Sequence, residues 1–232
     1  MLRIYIFRVC KSENRAEHPL KKAGAPLAYF QKKAEGESGE RRELTLLEGA
    51  LLSYAIDSKS IGAKTIGLLE KDEFGKLRFT KNGENDREIE FSFSHSGELL
   101  VLAISDSGAV GIDVEENKSE CSPGVEERFL SGFYPEYTDL NPEIYEVFFD
   151  GDGLSSEPVF GATLSDSSPE FFRRWTAMEA LVKMQGEGIS AYKRAREIMA
   201  GAELFAFTRE DGKRSYTVTL AHKKQSDEIK NI

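Results

Sequence analysis

Three short stretches carry the residue types that could do chemistry in this chain. Phe91-Ser92-Phe93-Ser94-His95-Ser96-Gly97 sets a histidine between two serines. Val110-Gly111-Ile112-Asp113-Val114-Glu115 sets two carboxylates two residues apart. Trp175-Thr176-Ala177-Met178-Glu179-Ala180-Leu181-Val182-Lys183 adds a third carboxylate and, four residues on, a lysine. Hard oxygen donors suit Mg²⁺, which takes one or two carboxylates and fills its shell with water and phosphate oxygens. Hydroxyls, an imidazole and a glycine backbone suit a phosphate or pyrophosphate. Together the set can hold a divalent cation against a phosphate-bearing ligand.

Each stretch taken alone has a blander reading. Glutamate four residues before lysine on a helix is a common exposed ion pair contributing about 0.2–0.5 kcal/mol. Asp113 and Glu115 could face solvent on an edge strand, and His95 could simply occupy a turn. Two like charges on one strand face repel each other, however, and a cation relieves that repulsion.

The elements that must position these residues follow from periodicity. Residues 2–9 alternate and are rich in Ile, Tyr, Phe and Val, so they predict a first strand. Residues 18–42 are polar, with the basic pairs Lys21-Lys22, Lys32-Lys33 and Arg41-Arg42. They predict a solvated loop and a short helix, or else a phosphate-binding arm. Leu44, Leu47, Leu51 and Ala55 predict an amphipathic helix over 43–57. Phe74-Gly75-Lys76 reads as a turn. Residues 91–95, 99–104 and 110–115 read as three strands of an antiparallel meander, with Ser96-Gly97 as a tight connection. On the third strand Asp113 and Glu115 project from one face. A short helix is expected over 125–130, then a long excursion with little regular structure over 132–170. Ser168-Pro169-Glu170 predicts a helix start with a capping serine. That helix runs to about Met184 and stops at Gly186 or Gly188. It carries Trp175, Met178 and Val182 on one apolar stripe and Glu179 and Lys183 on a neighbouring one. Residues 204–207 and 216–220 predict a hairpin across Glu210-Asp211-Gly212, and 223–232 a tail.

The 232 residues are enough for one large domain or two small lobes. Hydrophobic residues at 40% and a net charge of −9 describe an ordinary acidic soluble chain, with no basic excess to favour nucleic acid. Cys10 and Cys121 are too few for a disulfide framework, so a reducing, cytoplasmic setting is expected. Arg3 and Arg8 interrupt the first apolar run, so no secretory signal is expected there. No stretch approaches the ~18–20 apolar residues of a membrane span.

In this order and spacing the three stretches resemble the 4′-phosphopantetheinyl transferases of the long, single-chain, two-lobed type. That family shows Phe-x-x-Ser-His-Ser, then Gly-Ile-Asp-x-Glu, then Trp-x-x-Lys-Glu-Ala-x-x-Lys before a Gly-x-Gly turn. Here these are Phe91 to Gly97, Gly111 to Glu115, and Trp175 to Lys183 followed by Gly186-Glu187-Gly188. Weaker agreement reaches Phe74-Gly75-Lys76, Glu127-Arg128-Phe129-Leu130-Ser131 and the leucine-rich helix from Thr45. The resemblance spans roughly residues 45–190. It implies an α+β fold of two similar lobes, each a small antiparallel sheet packed on a helix, with the site between them. We place the lobes at 1–108 and 109–232, one functional unit that can work as a monomer.

The resemblance also implies a reaction: the 4′-phosphopantetheine arm of coenzyme A moves to a serine of an acyl or peptidyl carrier protein, releasing adenosine 3′,5′-bisphosphate. Asp113, Glu115 and Glu179 would hold Mg²⁺. Glu179 or Glu115 would take the serine proton. Lys183 would neutralise the pyrophosphate, with Ser94, His95 and Lys76 binding phosphate and Arg42 or Arg41 reaching the 3′-phosphate. One position departs from the pattern: the family's first helix lysine is Met178 here. The alternatives are a non-catalytic homologue that grips coenzyme A or a carrier, for which Met178 is the one sequence argument, and an unrelated Mg²⁺-dependent phosphohydrolase.

Overall fold

The computed structural model describes residues 2–9, 28–57, 68–81, 84–85, 89–118, 124–139, 142–150, 153–158, 168–212 and 214–224. Cys10, Cys121, the Lys21-Lys22 pair, residues 159–167 and residues 225–232 lie outside them. The first part of the chain forms β1 (Leu2–Arg8), α1 (Ala28–Glu35), α2 (Gly39–Asp57), β2 (Leu68–Lys71), β3 (Leu77–Lys81), β4 (Glu84–Asn85), β5 (Glu90–Ser96), β6 (Leu99–Ser105) and β7 (Gly108–Glu116). After a π-turn at Glu126–Leu130 come β8 (Glu143–Asp150), β9 (Gly153–Pro158), α3 (Glu170–Gln185), α4 (Ala195–Met199), β10 (Glu203–Asp211) and β11 (Arg214–Lys224). The fold is α+β with mixed sheets and few helices.

Strand β6 explains the layering. All seven of its residues, Leu-Leu-Val-Leu-Ala-Ile-Ser, are buried. Leu100, Leu102 and Ile104 face a core shared with Leu51, Leu52 and Ala55 of α2. Leu99, Val101 and Ala103 face the opposite core with Val110, Ile112, Val114, Phe207 and Leu220. A strand buried on both faces needs this continuous apolar run, whereas a half-exposed one would alternate. The same two-sided alternation in β1 sends Tyr5 and Phe7 one way and Ile4 and Ile6 the other. The resulting stack is α2, then the five-stranded sheet β5-β6-β1-β8-β9, then the three-stranded sheet β10-β11-β7, then α3. A small sheet, β2-β3-β4, stands beside it. Among the described residues no helix is long and apolar enough to cross a membrane.

Three expectations change. The meander stops after two strands: β5 and β6 pair antiparallel, but β7 pairs with β11 of the other sheet. The excursion over 132–170 holds the hairpin β8–β9, and β8 lies parallel to β1. Tyr5 and Tyr145, partners in that register, stack with ring centroids 5.8 Å apart, and buried Glu146 receives Arg209 from β10. Finally, Ser168 does not cap α3. The N-cap is Pro169, without a side-chain bond, and the buried Ser168 hydroxyl pairs with Thr217 of β11 instead. The β10–β11 hairpin has the expected pairing, with Phe205 opposite Leu220.

Between the sheets, His222 lies buried with Nε2 3.4 Å from Ser105 Oγ and Nδ1 3.7 Å from Glu203. Burial holds its pKa below the ordinary 6.5, against the pull of Glu203. The unfolded chain therefore binds that proton first. The stability tied to His222 is complete above about pH 6.5 and is lost as pH falls from there toward the lower folded value. Urea unfolding at about pH 7.5 and pH 5.5 should show wild type losing more stability on acidification than His222→Gln, the raised carboxyls contributing in the opposite direction to both. Part of the loss will persist in the variant, because partial desolvation of the His95 ring and the nearby Lys183 charge lower the His95 pKa in the same direction.

Candidate functional site

Edge strand β5 meets edge strand β7 without a backbone ladder, and serine side chains join them instead. Ser92, Ser94 and Ser96 alternate along β5 and so share a face. Ser92 Oγ accepts from Ile112 N (3.2 Å), and Ser96 Oγ accepts from Glu116 N (3.0 Å). Ser96 then donates to Glu115 Oε2 (3.0 Å), and Ser94 donates to Asp113 Oδ1 (2.8 Å). The Phe-Ser-Phe-Ser-His-Ser alternation is thus a row of hydroxyls holding two sheet edges and orienting two carboxylates.

Helix α3 covers the other side of β7. Lys183 Nζ donates to Asp113 Oδ1 at 2.6 Å and to Ser94 Oγ at 2.9 Å, and lies 3.7 Å from Glu179 Oε2. Asp113 is 2% exposed, and its Oδ2 is buried with no hydrogen-bond partner. Burial raises the pKa of all three carboxyls. The charge of Asp113 raises Glu115 and Glu179 further, while Lys183 opposes the shift in each. Among the described residues no three His, Cys, Asp or Glu side chains form a ready metal cage. The chemistry of the donor set nevertheless fits a hard cation: three mutually repelling carboxyls, one with an orphaned buried oxygen. His95 is exposed at the end of β5.

Gly111 shows why β7 and α3 can come this close. A Cβ there would collide with Ala180 O and Met184 N and stand 2.8 Å from Met184 Cα. These are backbone atoms of α3, so only a shift of the helix could relieve the clash. Gly111→Ala is expected to cost about 1–3 kcal/mol, as overpacking does. The urea midpoint should fall with its slope unchanged. Gly36→Ala, whose Cβ would meet only Lys33 O at 3.7 Å, should be close to neutral in the same measurement.

A cavity of about 410 Å³ opens beside these groups. Glu179, Val182 and Lys183 of α3 line it, with Phe91, Ser92 and Phe93 of β5 and Tyr29, Phe30 and Lys33 of α1. Lys71, Phe74, Lys76 and Leu77 of the β2–β3 hairpin complete one wall. Lysines and aromatic rings in one concave site suit an anionic ligand with a flat or apolar part. No family model matches the chain. Over 100 residues it is 35% identical to the 4′-phosphopantetheinyl transferase psf-1 of Bacillus pumilus, covering 43% of this chain and 33% of that relative. This match supports the 4′-phosphopantetheinyl transferase superfamily. The matched stretch spans about a third of the relative's length.

Set beside the superfamily's pattern, the site residues fall into two groups. Ser94, Asp113, Glu179 and Lys183 converge, and Glu115 joins them through Ser96 and through the field of Asp113. Arg42 is exposed on the first turn of α2 and does not line the cavity, and Arg41 pairs with Glu37 at 3.2 Å. Lys76 has spent its ammonium elsewhere: its Nζ meets Met184 O (3.0 Å), Val110 O (3.3 Å) and Glu90 Oε2 (3.3 Å). Two of its three N–H donors thus go to backbone carbonyls, and its charge is paired with Glu90. Lys33, Lys71 and Glu48 line the cavity without having been singled out individually. The Lys32-Lys33 pair was the one available signal. Met178 is fully buried among Leu130, Phe133, Leu181 and Leu204, where the superfamily pattern has a lysine.

Proposed function

We propose that this chain is a 4′-phosphopantetheinyl transferase of the long, two-lobed type. Residues 1–108 and 109–232 act as one unit, in the cytoplasm, on coenzyme A and an acyl or peptidyl carrier protein, as a holo-carrier-protein synthase. The observation that carries the reading is the Asp113–Lys183–Ser94 junction beside Glu179 at a lysine-lined cavity, supported by the partial relative. Asp113, Glu115 and Glu179 are the residues that would hold Mg²⁺. When bound, that ion supplies positive charge against the pyrophosphate.

The carrier serine Oγ forms a bond to the β-phosphorus of coenzyme A. The bridging P–O bond on the nucleotide side breaks, and its electron pair leaves with adenosine 3′,5′-bisphosphate. Glu179 takes the serine proton, with Glu115 as the alternative acceptor. Lys183 offsets the charge of the departing phosphate from a position already fixed by Ser94. Lys33 and Lys71 face the anionic ligand within the cavity.

Chromatography of the nucleotide products tests this directly. Adenosine 3′,5′-bisphosphate should appear from coenzyme A and Mg²⁺ only when an apo carrier is present. Nucleotide or phosphate release without any carrier would identify a phosphohydrolase. Coenzyme A binding with no product, across fatty-acid and peptide carriers, would identify a non-catalytic binder.

A further inference from the structure

We propose that Lys76 is a positioning residue whose ammonium clasps the β2–β3 hairpin to α3, β7 and β5 and so fixes one wall of the cavity. Its three partners, two carbonyl acceptors and one ion-paired carboxylate, belong to three different elements. Met184 O is one of the last carbonyls of α3, which lack intrahelical donors. A cation there is also favoured by the helix dipole. Val110 O lies on β7, the strand of Asp113, and Glu90 lies on β5, the strand of Ser94.

The hairpin is prepared for this grip. Asp72 Oδ1 accepts from Phe74 N (3.1 Å) and Lys76 N (2.9 Å), which shapes the turn. Asp72 Oδ2 takes Arg78 Nε at 2.8 Å, and Arg78 Nη1 reaches the same Glu90 at 2.6 Å. Lys76 is only 9% exposed in its side chain, and burial lowers its pKa. Its stem passes under Gly186, where φ is 87° and a Cβ would stand 2.9 Å from Lys76 Cδ. Phe74-Gly75-Lys76 and Gly186-Glu187-Gly188, far apart in sequence, are therefore two halves of one interlock. What they hold in place is the wall bearing Lys71, Phe74 and Leu77, opposite Glu179, Val182 and Lys183.

Hydrogen exchange decides the proposal without any ligand, and coenzyme A binding, which rests on the function proposed above, adds a second readout. In Lys76→Met, amides of residues 68–81 should exchange about tenfold faster or more, as in a region released from its local anchor. Coenzyme A should bind more weakly, with a smaller change in its dependence on ionic strength than Lys71→Met causes, because the Lys76 charge is already paired with Glu90. Lys71→Met is the contrast: unchanged exchange, but a shallower salt dependence. Unchanged exchange in Lys76→Met together with a shallower salt dependence would overturn the proposal and make Lys76 a phosphate contact. Should Lys76→Met fail to fold, Gly186→Ala, which pushes on the Lys76 stem, must accelerate the same amides, and unchanged exchange there overturns the proposal. If wild-type protein binds no coenzyme A, the proposed function fails while the exchange result still decides the role of Lys76.

Discussion

Asp113→Ala is expected to abolish the proposed phosphopantetheinyl transfer, with turnover falling by about 10³-fold or more, the scale for loss of one preorganised electrostatic group, while the protein remains folded. Asp113 is the hub of the candidate site. Its Oδ1 receives both Lys183 and Ser94, and its Oδ2 is the orphaned buried acceptor. Removing the carboxylate takes the shortest contact from the Lys183 ammonium, leaves Ser94 without its acceptor, and takes away the most buried of the three proposed cation ligands. The fold survives because the carboxylate is itself a burden. Its pKa is raised by burial, so the folded state binds its proton more tightly than the unfolded one. The stability linked to that proton is present below the ordinary carboxylate range and is lost as pH rises through the folded value. At neutral pH, then, loss of the buried charge offsets the loss of its contacts. Circular dichroism and thermal melting of Asp113→Ala beside wild type check the fold, and an assay with apo carrier checks turnover. A misfolded variant would leave Asp113 a structural residue.

Met178→Lys, which introduces the lysine of the superfamily's pattern, should destabilise the protein by about 4–5 kcal/mol at neutral pH. Met178 has no exposed surface and packs with Leu130, Phe133, Leu181 and Leu204. A fully buried lysine loses up to about 3–5 pKa units, and each unit costs about 1.36 kcal/mol until the group is neutral at the working pH. Folded proteins hold only about 5–15 kcal/mol in total, so a large part of the stability would go. Met178→Leu, close in volume, should cost less than about 1.5 kcal/mol. Urea unfolding of the pair separates the two effects. A stable Met178→Lys protein with tighter coenzyme A binding would show instead that position 178 reaches the ligand. The departure at Met178 is thus explained by packing: on this helix the position belongs to the core, while Glu179 and Lys183 keep the polar stripe.

How much of this was legible in the sequence depended on the range of the interaction. The alternation of Val110, Ile112 and Val114 against Gly111, Asp113 and Glu115 told which face of β7 carries carboxylates, and the structure puts the first set in the inter-sheet core. The i,i+4 spacing told that Glu179 and Lys183 point together, and they lie 3.7 Å apart. What Lys183 would do there was not legible, since its strongest partner, Asp113, comes from a strand 70 residues away. The need for glycine at 111 depends on the backbone of α3, which no local pattern encodes. The resemblance alone assigned Lys76 to phosphate, and nothing local in Phe74-Gly75-Lys76 tells that its stem is buried. Its burial arises only when Gly186 closes over its stem. The β8–β9 hairpin has local signals that the expectation of an irregular excursion did not use: Ile144, Tyr145 and Val147 precede Asp150-Gly151, a hairpin-type dipeptide. The surrounding Gly, Pro and Ser residues masked it.

The most direct test of the proposed transfer is the intact mass of an apo carrier protein incubated with this chain, coenzyme A and Mg²⁺. The expected result is a gain of one phosphopantetheine on the carrier, abolished by EDTA and by Glu179→Gln. An unmodified mass on every fatty-acid and peptide carrier, from a chain that binds coenzyme A, would contradict it.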